Sequence, residues 1–358
     1  MTTLRFICFA LTILTIALVG SGCPRRTDDS NNQDKKLLEA ARNGDAEIVQ
    51  QLLRGGARVG LKNENGETAL DLAAMQGDRD IVSLLLEAKI DTVNKNEALF
   101  WAAGNEPLVL IKNSKENDHL QDIGFNPIDK NYADVVKLLL DKGAEIEARD
   151  EDRATPLIRA ASHGETGGVK LLLDRGAEIE ARDQGGETAL HRAACECAVI
   201  DMPDTLGAIK LLLEKGANVE ARDNEGNTPL LLAAGWGRTE NVKFLLENHA
   251  KLAARDNAGN TAFLVSSSGS AYPTVETVKF LLDHGAKIEE KNKQGDTALV
   301  LAASGDGGER VAIVKLLLDR GANPKVKDFH GNTALVLAEK KGNLDIVPLL
   351  GKAMAASH

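Results

Sequence analysis

Large aromatic side chains are scarce in this chain. Phe, Trp and Tyr make up 3% of its 358 residues, with 2 tryptophans and 2 tyrosines. Length alone would suggest two or three globular domains of roughly 100–200 residues each. So few anchors argue against several separate cores. A basic surplus is missing as well. Lys+Arg number 43 against 53 Asp+Glu, a net charge of -10, whereas a nucleic-acid binder normally carries a net basic domain or stripe. The 4 cysteines, Cys8, Cys23, Cys195 and Cys197, make no disulfide framework, and Cys195 and Cys197 stand too close together for an easy mutual bridge. There is no G-x-x-x-x-G-K, G-x-S-x-G, H-E-x-x-H or EF-hand loop. Nothing in the sequence asks for catalysis, a cofactor or a metal.

No apolar run reaches the ~20 residues of a membrane-spanning helix. The longest, Phe6–Gly20, follows one charge, Arg5, and ends in small residues before Cys23. That pattern reads as a cleaved signal peptide over 1–22. The stretch Val19-Gly20-Ser21-Gly22-Cys23 resembles the lipobox of bacterial lipoproteins, with Gly20 where that family prefers an aliphatic. The resemblance implies a lipidated Cys23 and a periplasmic protein held on a membrane by acyl chains alone, with Pro24 leaning towards the outer membrane. Plain secretion is the alternative. Residues 23–36 are expected to form a polar tether, disordered over 24–34, where aliphatics are absent.

What is abundant is repetition. Thr-(Ala/Pro)-(Leu/Phe) recurs at Thr68, Thr155, Thr188, Thr228, Thr261, Thr297 and Thr333, and both Thr155–Thr188 and Thr228–Thr261 span 33 residues. Val-Lys-(Leu/Phe)-Leu-Leu, Gly-Ala and Ala-Arg-Asp follow most of them. Thr155 and Thr228 read as N-caps with Pro156 and Pro229 at the first helical position, where a missing N–H costs nothing. Leu157, Ala160 and Ala161 face one side of a short helix, and Val169 to Leu173 build a second. Gly143, Gly176, Gly216, Gly285 and Gly321 end the second helices in the left-handed region, and His249 takes that place once. Asp183 to Gly186 is turn chemistry.

Period and motif together resemble the ankyrin repeat. The resemblance implies an all-α solenoid over 37–358 of about nine helix-turn-helix units with projecting β-hairpin turns, starting near 37, 68, 98, 155, 188, 228, 261, 297 and 333. It implies a module that binds a protein partner, expected to be monomeric. The end units read as caps, and Pro348, inside the last helix, is expected to cost a hydrogen bond.

Irregularities mark candidate sites. An insertion of 25 residues within 105–131, one of seven before Lys210 and two of three before Lys279 and Lys315 all separate the two helices of a unit. Insertions confined to one edge often mark a binding face. One form of the hypothesis is an inhibitor or immunity-type protein whose 105–131 loop enters the cleft of a secreted enzyme. The turn before Ala98 is four residues short.

Two columns of side chains are candidate partner contacts. Arg149, Arg182, Arg222 and Arg255, continued by Lys62, Lys95, Lys291 and Lys327, precede the turn Asp or Asn; by resemblance they lie on the fingers. They either grip an acidic or extended ligand or form a surface ladder with carboxylates such as Glu147, Glu180 and Glu220, the reading we favour. Trp101, Arg159 and Arg192 share one position on three first helices, with Trp236 at the end of the next, where by resemblance it faces the concave side. Trp and Arg dominate interface hot spots, with core packing as the competing account. A metal cluster at His191, Cys195 and Cys197 is the weakest reading, because His191 is already the motif His and a fourth ligand is not evident.

Overall fold

The computed structural model describes residues 28–88, 90–104, 132–195, 205–268, 274–305 and 309–356. The expected leader, Cys23, Cys197 and the 105–131 insertion lie outside them. Among the described residues eighteen α-helices form nine consecutive pairs: α1 (Asp28–Asn43) with α2 (Ala46–Arg54), α3 (Ala69–Met75) with α4 (Arg79–Glu87), and α5 (Thr92–Ala103) with α6 (Tyr132–Asp141). Then come α7 (Pro156–Ser162) with α8 (Thr166–Asp174), α9 (Ala189–Cys195) with α10 (Leu206–Glu214), and α11 (Pro229–Gly235) with α12 (Thr239–Glu247). The last three are α13 (Ala262–Ser267) with α14 (Val275–Asp283), α15 (Ala298–Ser304) with α16 (Arg310–Asp319), and α17 (Ala334–Lys341) with α18 (Val347–Ala356).

Local chemistry sets each pair. Thr155 and Thr228 cap α7 and α11, accepting from the Ile158 and Leu231 N–H groups, with proline first in each helix. Gly143, Gly176, Gly216, Gly285 and Gly321 have φ between 87° and 99°, and His249 has φ 69°. The small Ala160 and Ala161, fully buried like Ala193 and Ala194, let first helices approach closely. Leu157, Val169 and Leu172 fill the space behind them, each worth roughly 1.5–3 kcal/mol when buried. Every substantial helix contact joins the members of one pair or of successive pairs. Stability is therefore a nearest-neighbour property, as in a solenoid.

Several details differ from the sequence expectations. Among the described residues no strand is present, so the projections are turns, not β-hairpins. Their Asp or Asn side chain closes them: Asp183 Oδ1 accepts from Glu187 N at 2.9 Å and Asp223 Oδ1 from Asn227 N at 2.7 Å. One backbone bond also closes each turn, Asp183 N to Glu187 O and Asp223 N to Asn227 O at 3.0 Å, and others join successive turns, with Asn224 N donating to Gly185 O, Asn257 N to Glu225 O and Lys293 N to Ala258 O.

Helix also enters two segments read as irregular. α1 begins at Asp28, within the expected disordered tether. Its Asp34 is 1% exposed and takes the N–H of Arg58 at 2.6 Å and its Nε at 2.7 Å, a pairing across 24 residues that composition cannot reveal. Lys95 and Asn96, aligned with turn residues, sit inside α5, which Asp91 caps by accepting from Asn94 N at 2.8 Å. Without Asp-x-x-Gly the chain has no reason to turn there. Pro348 is the second residue of α18, where a helix needs no donor, so the expected loss does not arise.

Candidate protein-binding surface

The finger arginines are engaged along the array. Arg149 Nη1 donates to Arg153 O at 2.7 Å and to Arg182 O of the next turn at 2.6 Å. Arg182 repeats this to Gly186 O and Arg222 O, Arg222 to Gly226 O and Arg255 O, and Arg255 to Gly259 O and Lys291 O. The ladder exists, but backbone carbonyls rather than carboxylates are its main acceptors. The two hydrogens of one Nη1 serve both acceptors, whereas Lys291, in the same position, reaches Lys327 O only at 3.4 Å.

The nearby carboxylates do a different job. Glu147, Glu180, Glu220 and Glu289 accept the N–H two residues beyond the helix-ending glycine or histidine of the next pair, at 2.7, 2.7, 2.8 and 2.7 Å. Asp34 in α1 and Asn96 in α5 serve the same role for Arg58 N and Glu145 N. Ala253 interrupts the column.

The first-helix column divides into two chemistries. Arg159 Nε meets Asp150 Oδ2 at 2.6 Å and its Nη2 meets Asp152 Oδ2 at 2.7 Å. Arg192 Nη2 meets Asp183 Oδ2 at 2.6 Å, and its Nε meets Glu187 Oε2 at 2.7 Å. Both guanidiniums are thus folded onto their own turns. Trp101 is half-buried against the core, apart from Trp236.

From the Thr228 unit onward the equivalent position is aliphatic: Leu232, Val265 and Leu301, all half-buried. With Trp236 they floor a hollow of about 410 Å³, rimmed by Glu225, Asp256 and the amides Asn227, Asn260 and Asn292. Sequence reading singled out Trp236 but missed Leu232, Val265, Glu225 and Asp256. The available signal was the switch from Arg to aliphatic four residues after the motif Thr.

The buried motif positions differ among units. His191 is fully buried; Nδ1 accepts from Thr188 N at 3.2 Å, and Nε2 lies 3.2 Å from Asn227 O. Burial pushes its pKa below the usual value, opposed by the bond to Asn227. The ring is therefore a neutral tie between units, both nitrogens in use. Cys195 is buried, its Sγ 3.7 Å from Arg192 O. Among the described residues no three His, Cys, Asp or Glu side chains are grouped to hold a metal.

In the Thr68 unit the motif His is replaced by Asp71, 1% exposed. Its Oδ2 accepts from Thr68 N at 2.7 Å and from Thr68 Oγ1 at 2.6 Å, while its buried Oδ1 has no partner. Burial raises its pKa to about 6, offset in part by the Thr68 bonds.

Comparison with known proteins agrees with this architecture. The family described as ankyrin repeats (3 copies) matches residues 37–116, 128–206, 185–256, 203–292 and 267–356. The tyrosine-protein kinase Shark of Drosophila melanogaster is 31% identical over 155 residues, 43% of this chain and 14% of its own. Ankyrin repeat and SOCS box protein 3 of Homo sapiens is 30% identical over 158 residues, 39% of this chain and 30% of its own. The human NAD-capped RNA hydrolase NUDT12 is 44% identical over 62 residues, 17% of this chain and 13% of its own. This chain spans less than a third of each of these proteins. With its paired helices, Thr-(Ala/Pro)-(Leu/Phe) starts and laddered turns repeated along the array, the chain belongs to the ankyrin-repeat family.

Proposed function

We propose that this chain is a non-catalytic scaffold that holds a protein partner on the palm of its Thr228, Thr261 and Thr297 units. The observation that carries the reading is the hollow around Trp236. Leu232 and Val265 remain half-buried at the solvent side of first helices whose Leu230 and Leu264 are fully buried, and a Trp stands beside them. Such a surface resembles the aromatic, apolar centre of a protein interface, ringed by polar groups. The turns above it are locked by arginine and backbone bonds, so docking would order little of the scaffold and lose little entropy. Arg222 and Arg255 stand on the turns beside this centre, and Arg149, Arg182, Arg159, Arg192 and Trp101 extend the candidate surface over the preceding units, the arginine donors serving the scaffold first.

Location is the second part of the proposal. The Val19-Gly20-Ser21-Gly22-Cys23 stretch supports export to the periplasm and lipid attachment at Cys23, in the outer membrane on the Pro24 argument. Among the described residues no helix is long and apolar enough to cross a membrane. Mass spectrometry of the mature amino terminus checks this: a mass matching unmodified Met1 at the start of the purified chain refutes it.

The binding reading is tested by capture from envelope extract with the wild type, Leu232→Glu and Trp101→Ala. One protein retained by the wild type and Trp101→Ala, and lost with Leu232→Glu at unchanged helicity, supports the palm. Retention by all three rejects it.

A further inference from the structure

We infer that the hollow beside Trp236 receives an arginine side chain of the partner. The inference rests on the palm reading above and specifies its ligand. The chain carries its own template in the two preceding units. At Arg159 and Arg192, a guanidinium rises from the first helix and settles on the carboxylates of the adjoining turn: Asp150 and Asp152 at 2.6 and 2.7 Å, Asp183 and Glu187 at 2.6 and 2.7 Å. The Thr228 and Thr261 units keep the turn Asp and omit the cation; Glu225 stands in the place of Asp152, Ala258 takes that place in the Thr261 unit, and Asn227 and Asn260 replace Glu187. Asp223 and Asp256 occupy the places of Asp150 and Asp183, while Leu232 and Val265 replace the arginines.

The remaining donors there are weaker than a guanidinium. Asp256 accepts from Asn260 N and Asn260 Nδ2, each at 2.8 Å, and Asp223 takes Asn227 Nδ2 at 2.8 Å. A carboxylate has about four acceptor sites, so capacity is left on Asp256. Glu225, exposed on the rim, meets Asn227 Nδ2 only at 3.4 Å. Trp236 lines the same hollow, and indole is the aromatic ring on which a planar cation stacks best. Carboxylates, an indole and an aliphatic floor match the head and the methylene stem of arginine, as they would not match an anionic or a purely apolar residue. Charge complementarity therefore selects a basic, extended segment of the partner, with arginine at the anchoring position.

The test uses the full chain in a Trp101→Phe background, which leaves Trp236 as the reporter. The probes are acetyl-Gly-Leu-Arg-Leu-Gly-amide and its citrulline counterpart, which keeps shape and loses charge. The arginine peptide should give a saturable fluorescence change, with the citrulline peptide at least about tenfold weaker, since a charge-assisted contact is worth that much. Glu225→Gln, which spares the turn, should weaken the arginine peptide about threefold to tenfold.

Leu232→Arg supplies the missing guanidinium from within. It should fold with an unchanged melting point and abolish peptide binding. Equal binding of both peptides, no saturation up to about 10 mM, or undiminished binding to Leu232→Arg overturns the arginine assignment. Any of these outcomes leaves palm binding intact if Leu232→Glu still loses the captured protein, so the two readings fail separately.

Discussion

Asp71→Asn is expected to stabilise the protein near neutral pH. A carboxylate is held where the His191 unit holds a neutral ring. Its Oδ2 accepts from Thr68 N and Oγ1, its Oδ1 is buried without a partner, and its pKa stands at about 6 against the ordinary 3.8 of an aspartate. About two pKa units at ~1.4 kcal/mol each give ~3 kcal/mol as the most that keeping this charge costs the fold at pH 7. Burial causes the shift; the ion pair of Lys62 with Glu97 lies close by, Glu97 pushing up and Lys62 down. Between pH ~4 and 6 the folded state holds a proton that the unfolded state has released, so stability falls as pH rises through that window and is flat above it.

Asparagine keeps an acceptor for Thr68, removes the charge and puts a donor at the orphan position. We expect a gain of ~1–2 kcal/mol at pH 7.5 that shrinks to near zero at about pH 4. Urea unfolding of wild type and variant at both pH values reads it, with hydrogen exchange of the α3 amides as the local check because a repeat array need not unfold in one step. An equal loss at both pH values would refute the reasoning, since it would mean the ionised carboxylate is a net benefit to its unit.

Three further outcomes follow from particular contacts. Gly226→Ala and Gly216→Ala share positive φ, 80° and 92°, but a Cβ at 226 would meet Asn257 Oδ1 at 2.5 Å and Asn257 N at 3.0 Å, whereas nothing lies within 4 Å at 216. Chemical denaturation should show a loss of ~1–2 kcal/mol at 216 from the backbone alone and a clearly larger one at 226. Arg182→Met should cost about 1 kcal/mol by removing the bonds to Gly186 O and Arg222 O, and Arg182→Lys should fall between it and the wild type. For His191, the depressed pKa makes the unfolded state the better proton acceptor, so its contribution is lost as pH falls below ~6.5. His191→Gln should flatten that part of the pH–stability curve, and a slope unchanged by the substitution rejects the neutral tie.

The architecture was legible because its determinants are local and repeated. A Thr cap, a Pro or Ala, an Ala pair, a glycine past the helix end and an Asp-closed turn each act within a few residues. What escaped depends on neighbours in space. The helical start at Asp28 follows from Asp34 meeting Arg58 just past α2, and the arginine column bonds carbonyls because turns stack closely enough to share them. The palm was half legible: Trp236 stood out by its rarity, but the hollow needed three units side by side before Leu232, Val265 and Asp256 met. Arg159 and Arg192 looked like anchors in the sequence and are held by their own turns.

The lapse at Ala253 has a mechanical meaning. Glu220 clasps Lys251 N on one side and Glu289 clasps Asn323 N on the other, but the methyl group between them has nothing to offer Lys287. If the array is pulled from its ends, the join between α12 and α14 resists with one backbone clasp fewer than the joins on either side of it, relying on Thr239 Oγ1 against Thr277 Oγ1 at 2.7 Å and Lys243 Nζ against Glu276 Oε1 at 3.2 Å. The Trp236 hollow straddles that join, so a ligand seated there would splice the two halves and raise the force needed to separate them.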